Sequence, residues 1–568
     1  MPSPLLSVRP CQTRSMRTRD GVRLDADVYV PDGPGPFPVL LMRQPYGREI
    51  ASTVVYAHPT WYATHGYMVV IQDVRGRGTS EGDFRLFTHE VEDGYDTVEW
   101  AANLPESNGR VGMYGFSYQG MTQLYAAQSQ PSALKALAPA MAGTDLYQDW
   151  AYENGALRLQ AGLGWALQLA AETARLKGET AAFTALRAAS RNLPLHGPVT
   201  AYPELMQQYA PDSYWHDWIA HPQDDAYWQA LTPDLSQVDL PMLHIGGWFD
   251  PYLTGDLRRY KTMTGPKSSP QQLWVGPWGH IPWHRKVGAV DFGPEAMNPI
   301  DTLQIRWFDQ FLKGQDTGIL TGPTVHLFEM GSNRWQHVGR WPPTDTSAYA
   351  LRSSGLAGVR EDDGVLIAPT ATLTPPHVDT LVHDPWRPVP SLGGHTGMPS
   401  GPFERTHIDG RSDVLTYTLG PIGEPMSIAG VATVSLVITT DVPSFDISAV
   451  LSVVYPDQTV VNMTQGYGRF TAESDSAADS PIHLRLQPTC CQIGPGQSLR
   501  LSLSAASFPA YTVNPGTGAP LPDQVPVIDQ RLITLTIHQG QDTVLRLPIP
   551  PLRTEVARIA ITQNQGKG

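Results

Sequence analysis

The sequence predicts an α/β fold that carries a helical insertion and is followed by an all-β segment. Three observations predict it. Strand and helix signals alternate over the first 140 residues, helical spacing and Pro-containing loops occupy the stretch from about Ala142 to Val238, and β patterns alone occupy the chain beyond about residue 345.

In chain order, Val22–Val30 alternates apolar and polar residues with period two and runs into Pro31-Asp32-Gly33, so it reads as a half-buried strand ending in a turn. Val39–Met42 and Met68–Ile71 are short continuous apolar runs, as buried parallel strands require. His89–Asn103 has helical spacing, and Val111–Tyr114 is another buried strand. Strands alternating with helices imply a parallel sheet with right-handed crossovers. Ala156–Ala171 places Leu, Ala and Trp on shared helical faces. Met242–Ile245 and Leu273–Val275 bring the strand signal back and can rejoin the first sheet; Asp301–Leu312 returns to helical spacing. Val431–Ile438, Leu499–Leu503 and Leu532–Ile537 are β-rich runs between turn residues, the pattern of a sandwich or jelly roll.

At about 100–200 residues per domain, 568 residues exceed one core and suggest three. The expected division is 1–141 with 239–344 for the α/β part, 142–238 for the helical cap and 345–568 for the jelly roll. A net charge of −14 argues against nucleic acid, whose phosphates need clustered Lys and Arg. The N-terminus lacks the apolar core of a signal peptide and no window holds 18 apolar residues, so no membrane span is expected and the reading is cytoplasmic. Cys11, Cys490 and Cys491 make a poor disulfide framework. No metal-ligand spacing and no dinucleotide fingerprint appears, so no cofactor is expected; homo-oligomerisation stays open.

The chemistry begins at Gly115-Phe116-Ser117, where a buried strand turns into the helix-like Met121–Ala127. A serine on such a bend projects its hydroxyl, and glycines beside it keep the backbone clear. The usual elbow is Gly-x-Ser-x-Gly; here Gln119 takes the second glycine's place and Gly120 follows one residue later. A hydroxyl nucleophile needs a base and an orienting acid, which in the α/β-hydrolase arrangement follow in the order Ser, Asp or Glu, His. Asp250 follows Met242–Phe249 and His280 follows Leu273–Gly279, so both fall at carboxyl ends of apolar strands, where open sheets bind ligands. The bland reading of Asp250 is a loop cap before Pro251. His244, inside an apolar strand, reads as a satisfied core histidine, and Arg75 and Arg77 read as ties between loops near the elbow.

Seven segments give the chain a specific resemblance: Arg43-Gln-Pro-Tyr-Gly47, Gln72-Asp-Val-Arg-Gly-Arg-Gly-Thr-Ser-Glu-Gly82, Gly112-Met-Tyr-Gly-Phe-Ser-Tyr-Gln-Gly120, Gly247-Trp-Phe-Asp250, Gly276-Pro-Trp-Gly-His280, Asp384-Pro-Trp-Arg-Pro-Val-Pro-Ser-Leu-Gly-Gly394 and Ser507-Phe-Pro-Ala-Tyr511. Together they resemble the cocaine esterase / X-Pro dipeptidyl-peptidase (S15) family, most of all its cocaine esterase branch. The resemblance implies an α/β-hydrolase domain, a helical cap and a C-terminal jelly roll. It implies an oxyanion hole made of the Tyr46 hydroxyl and the Tyr118 backbone N–H, although without it Tyr46 reads as a turn residue after Pro45. It also places Trp150, Trp165 and Tyr252 at an aromatic acyl pocket; the alternative for the two tryptophans is plain packing of cap on sheet. The related α-amino acid ester hydrolases carry an acidic pair at the second and third positions after the triad aspartate, and here those positions are Tyr252 and Leu253. An ammonium in a dry pocket needs a counter-charge. Unless Glu153 or Asp149 of the cap supplies one, the expected substrate is a small ester with an uncharged aromatic or alkyl acyl group. An acylase or dipeptidyl-peptidase acting on amides, and a catalytically silent binding protein, remain the alternatives.

Overall fold

The computed structural model describes residues 5–195, 203–265, 267–341, 346–369, 377–472, 480–521 and 525–549. Ten strands form the main sheet: β1 (Gln12–Arg17), β2 (Arg23–Tyr29), β3 (Phe37–Gln44), β4 (Met68–Asp73), β5 (Ser107–Phe116), β6 (Leu134–Ala140), β7 (Met242–Phe249), β8 (Gln271–Gly279), β9 (Val325–Glu329) and β10 (Arg334–Val338). They lie in the order β1-β2-β4-β3-β5-β6-β7-β8-β9-β10. From β4 to β9 every neighbouring pair is parallel. The expected parallel sheet is thus corrected to a mixed one, since the β1/β2, β2/β4 and β9/β10 pairs are antiparallel.

The apolar runs fix this layering. Every residue of β3, β4, β7 and β8 is buried, because helices cover both faces. Val39 and Leu41 pack into one core with Val98 and Leu124 of the helices Glu90–Ala102 and Tyr118–Gln128. Leu40 and Met42 point the other way and pack with Trp307 and Phe308 of the helix Ile300–Leu312. β2 departs from its half-buried reading. Asp25 and Asp27 are buried beside their apolar neighbours, Asp25 accepting from Ser15 and Thr79 and Asp27 from Thr13 and Arg48.

Between β6 and β7 the chain leaves the sheet for a π-helical turn, Leu146–Ala151, and five α-helices beginning with Leu159–Leu176. That first helix starts three residues later than its spacing suggests. Asn154 and Gly155 both take positive φ (43° and 79°) and close a two-residue hairpin between Tyr152–Glu153 and Ala156–Leu157. Beyond residue 346 the described residues carry β-strands apart from the short helix Thr406–Asp409 and a 3₁₀ turn at Val527–Asp529. Its longest strands, Ser444–Val454 and Val460–Thr471, pair antiparallel along their full length. The core of this all-β domain continues into the main sheet, because Trp248, Phe249, Leu273 and Val275 belong to the same cluster as Leu451 and Leu501. Among the described residues no helix is long and apolar enough to cross a membrane.

Candidate active site

Ser117 sits between β5 and the helix Tyr118–Gln128 with φ 60° and ψ −128°, a strained conformation for a residue with a Cβ. Its N–H donates to Ala140 O at 3.0 Å, tying the bend to the end of β6. The glycine spacing has a steric cause. A Cβ on Gly115 would lie 2.5 Å from the Cβ of Gln119, and one on Gly120 would lie 2.6 Å from the Cβ of Ala142. The helix therefore crosses closest at position 120, and Gln119 has room where the usual elbow needs glycine.

Asp250 follows β7 and His280 follows β8, and the parallel pairing of these strands brings the two side chains together. His280 Nδ1 lies 2.6 Å from Asp250 Oδ2. Asp250 is fully buried, and its other carboxylate oxygen accepts the Tyr252 N–H at 2.9 Å. Its main-chain oxygen accepts from Gln487 Nε2 of the all-β domain at 2.7 Å, while Thr254 Oγ1 donates to Gln487 Oε1 at 3.1 Å.

Tyr46 reaches this centre through its hydroxyl, which lies near the Ser117 side chain and accepts from Trp165 Nε1 at 3.1 Å. Burial pushes its pKa up to about 12. The Tyr118 N–H heads its helix and has no acceptor within it. The Tyr118 hydroxyl instead donates to Glu90 Oε1 at 2.6 Å, and Glu90 holds Arg43. Trp150 stacks 5.2 Å from Trp165 and 4.3 Å from Tyr252, whose ring meets His280 edge-on at 5.1 Å. A chain of contacts thus runs from Tyr46 through Trp165, Trp150 and Tyr252 to His280, with Asp250 behind His280 and Ser117 and Tyr118 at the Tyr46 end. Trp150 also donates to Ala142 O at 2.8 Å and is 4% exposed, so packing accounts for much of that residue.

His244 is buried and accounted for: Nδ1 accepts from Arg259, Nε2 meets Gln271, and burial drops its pKa to about 3. Arg75 ties Asp93 to Asp20, as its reading anticipates. Arg77 ties its loop to the cap helix through Leu169 O rather than through an acid. The cysteines are free, and among the described residues no group of His, Cys, Asp and Glu has the makings of a metal site.

Two acids of the cap are already neutralised. Asp149 accepts the N–H groups of Thr144 and Asp145 and pairs with Arg258. Glu153 Oε2 takes Arg158 at 3.0 Å, His395 at 2.9 Å and the Tyr511 hydroxyl at 2.6 Å. Burial raises the pKa of Glu153, but His395, Arg158 and the Tyr511 hydroxyl outweigh it and bring it to about 2. A carboxyl depressed in the fold contributes stability in full above its unfolded pKa, near 4.5, and loses it as pH falls through about 2. Glu153→Gln is expected to lower the melting temperature at pH 7, and this deficit should shrink below about pH 4.5. Thermal melts of both proteins across that range check it; an equal deficit at every pH would mean that charge is not what Glu153 supplies.

Gln487, His395 and Tyr511 escape sequence reading because their partners lie far along the chain, 358 residues away for Tyr511 and Glu153. Their one signal is position: Tyr511 ends the segment Ser507–Tyr511, and His395 directly follows Gly394.

The family model for the X-Pro dipeptidyl-peptidase (S15 family) matches residues 20–282. The model for the X-Pro dipeptidyl-peptidase C-terminal non-catalytic domain matches residues 317–542. The chain is 32% identical to the cocaine esterase of Rhodococcus sp. (strain MB1 Bresler), over 88% of this chain and 91% of that one. Among solved structures it resembles an aminopeptidase from a marine sediment archaeon, Thaumarchaeota archaeon, at 25% identity and TM-score 0.77, covering 95% of this chain and 96% of that one. An α-amino acid ester hydrolase shares the fold at TM-score 0.75 and 22% identity, with the same coverage.

Proposed function

Because the chain belongs to the S15 X-Pro dipeptidyl-peptidase family and is a hydrolase of that family, we propose that it cleaves small carboxylic esters through an acyl-enzyme on Ser117. Asp250 holds His280 by its Nδ1–H, which leaves Nε2 to take the serine proton and later return it to the leaving alcohol. Tyr46 and the Tyr118 N–H receive the charge that develops on the carbonyl oxygen. Water then attacks the acyl-enzyme by the same route in reverse. The observation that carries this reading is the 2.6 Å His280–Asp250 contact, set beside a serine that is strained at the bend and lies near the Tyr46 hydroxyl. A fluorophosphonate probe should add its mass to the wild-type chain at Ser117; labelling elsewhere, or none, overturns the assignment.

For the substrate, Trp150, Trp165 and Tyr252 offer the acyl group an apolar wall. Positions 252 and 253 carry no acid, and Asp149 and Glu153 are spent on cations of the protein. An acyl group with a free ammonium therefore meets no counter-charge, which disfavours amino-acyl and dipeptidyl substrates. With one leaving alcohol, a phenylacetyl ester should outrun the phenylglycyl ester by about tenfold or more in kcat/KM at pH 7. Equal rates would sink the neutral-acyl reading and leave the nucleophile untouched.

The division into 1–141 with 239–344, 142–238 and 345–568 is proposed on sheet membership, since β9 and β10 join the main sheet and Ser347–Arg352 the all-β one. The join at 344 itself lies outside the described residues.

A further inference from the structure

A cavity of about 1160 Å³ opens between the Gly76–Thr88 loop and the cap helices, and neither Ser117 nor His280 lines it. Four exposed acids (Asp83, Glu179, Asp212, Asp217) and two exposed bases (Arg85, Lys177) stand around it. Arg77 is the buried charge in its lining, 1% exposed. Arg43, Arg48 and Arg259, also buried, each hold a carboxylate. Arg77 holds none. Its guanidinium lies 3.7 Å over the Phe84 ring, Nη1 donates to Leu169 O at 3.2 Å, and Nε is buried without a partner. Burial draws its pKa down to about 10, so it is still a cation at neutral pH. Tyr214 lines the same cavity with its hydroxyl buried and unpaired, and its ring packs 5.2 Å from Trp165. A buried cation with no carboxylate and a buried hydroxyl with no partner are costly unless something completes them.

We propose that this cavity is a binding site for an organic monocarboxylate, its carboxylate on Arg77 and its apolar part on Phe84, Leu169, Ala170 and Tyr214. A planar guanidinium suits a carboxylate by bidentate hydrogen bonding, and Phe84 already fixes its plane. The cavity lining does not include the acyl-pocket residues Trp150, Trp165 and Tyr252, and the two regions meet where Tyr214 packs on Trp165 and where Arg77 lies within electrostatic reach of Tyr46 and Tyr118.

Calorimetric titration of the full chain with hexanoate, and with hexanamide as the uncharged control, tests this. Hexanoate should bind the wild type, and Arg77→Met should weaken it by about tenfold or more while hexanamide discriminates little between the two proteins. Arg77→Met should also melt at or above the wild-type temperature, because replacing an unpaired buried cation by an apolar side chain is neutral or stabilising. Ala170→Trp crowds the apolar part of the site with Arg77 intact and should abolish hexanoate binding, so it decides the matter if Arg77→Met does not fold. Unchanged hexanoate affinity in either variant, or no binding to the wild type, overturns the proposal. The carboxylate is either a free acid, such as the ester's own product, or one carried by the ester. In the second case Arg77→Met raises KM for a p-nitrophenyl half-ester of glutarate and spares p-nitrophenyl butyrate; in the first it spares both. The titration needs no turnover, so it stands whether or not the esterase reading does.

Discussion

Ser117→Ala is expected to cut kcat on a good ester by about 10⁴-fold or more, leaving only what binding and the oxyanion donors supply. The size follows from the geometry. The 2.6 Å bond to Asp250 fixes the His280 ring, and that orientation is worth nothing without a hydroxyl to deprotonate. Losses within such a unit do not add, so Ser117→Ala and the double variant with His280→Ala should have nearly equal residual rates. The fold should tolerate the change, because the bend is held by the Ser117 N–H and by Gly115 and Gly120, none of which alanine disturbs. Steady-state kinetics on the purified variant check this. Retention of more than about a tenth of kcat would remove Ser117 as the nucleophile.

Tyr46→Phe should lower kcat by about 10²–10³ and leave KM nearly unchanged, since the lost hydrogen bond strengthens only as charge develops on the carbonyl oxygen. Most α/β hydrolases use two backbone N–H groups there, which no substitution deletes. Stability should fall slightly rather than hold, because the Trp165 N–H loses its acceptor; half-exposed Trp165 can recover part of that from water. If Tyr46 were only a turn residue, kcat would survive and the melting temperature alone would move. Measuring both on one preparation separates the two, and an intact kcat ends the oxyanion role whatever becomes of Ser117.

What the sequence made legible is what is local. The apolar runs of β3, β4, β7 and β8 mark strands buried on both faces, and the Gly-x-Ser bend marks the turn at 117. Chain order then points to Asp250 and His280, each directly behind such a run. The readings that failed were pairings. Asp25 and Asp27 looked solvent-facing because their partners Ser15, Thr79, Thr13 and Arg48 come from other elements. The Asn154–Gly155 turn was a local signal that stands directly before the helical pattern of Ala156–Ala171 and delays its start. Arg75 and Arg77 both tie loops, but Arg75 does so through acids and Arg77 through a main-chain oxygen of the cap helix, a difference the sequence does not show.

The hydrogen bond from Gln487 to the main-chain oxygen of Asp250 also sets an order of assembly on the ribosome. Gln487 is made 237 residues after Asp250. At about 5–20 residues per second, the loop bearing Asp250 waits roughly 10–50 s for this partner. A nascent chain can thus hold Ser117, Asp250 and His280 and still lack the bond that fixes the acid's backbone, so full activity should arise only once the all-β domain has been synthesised and has docked.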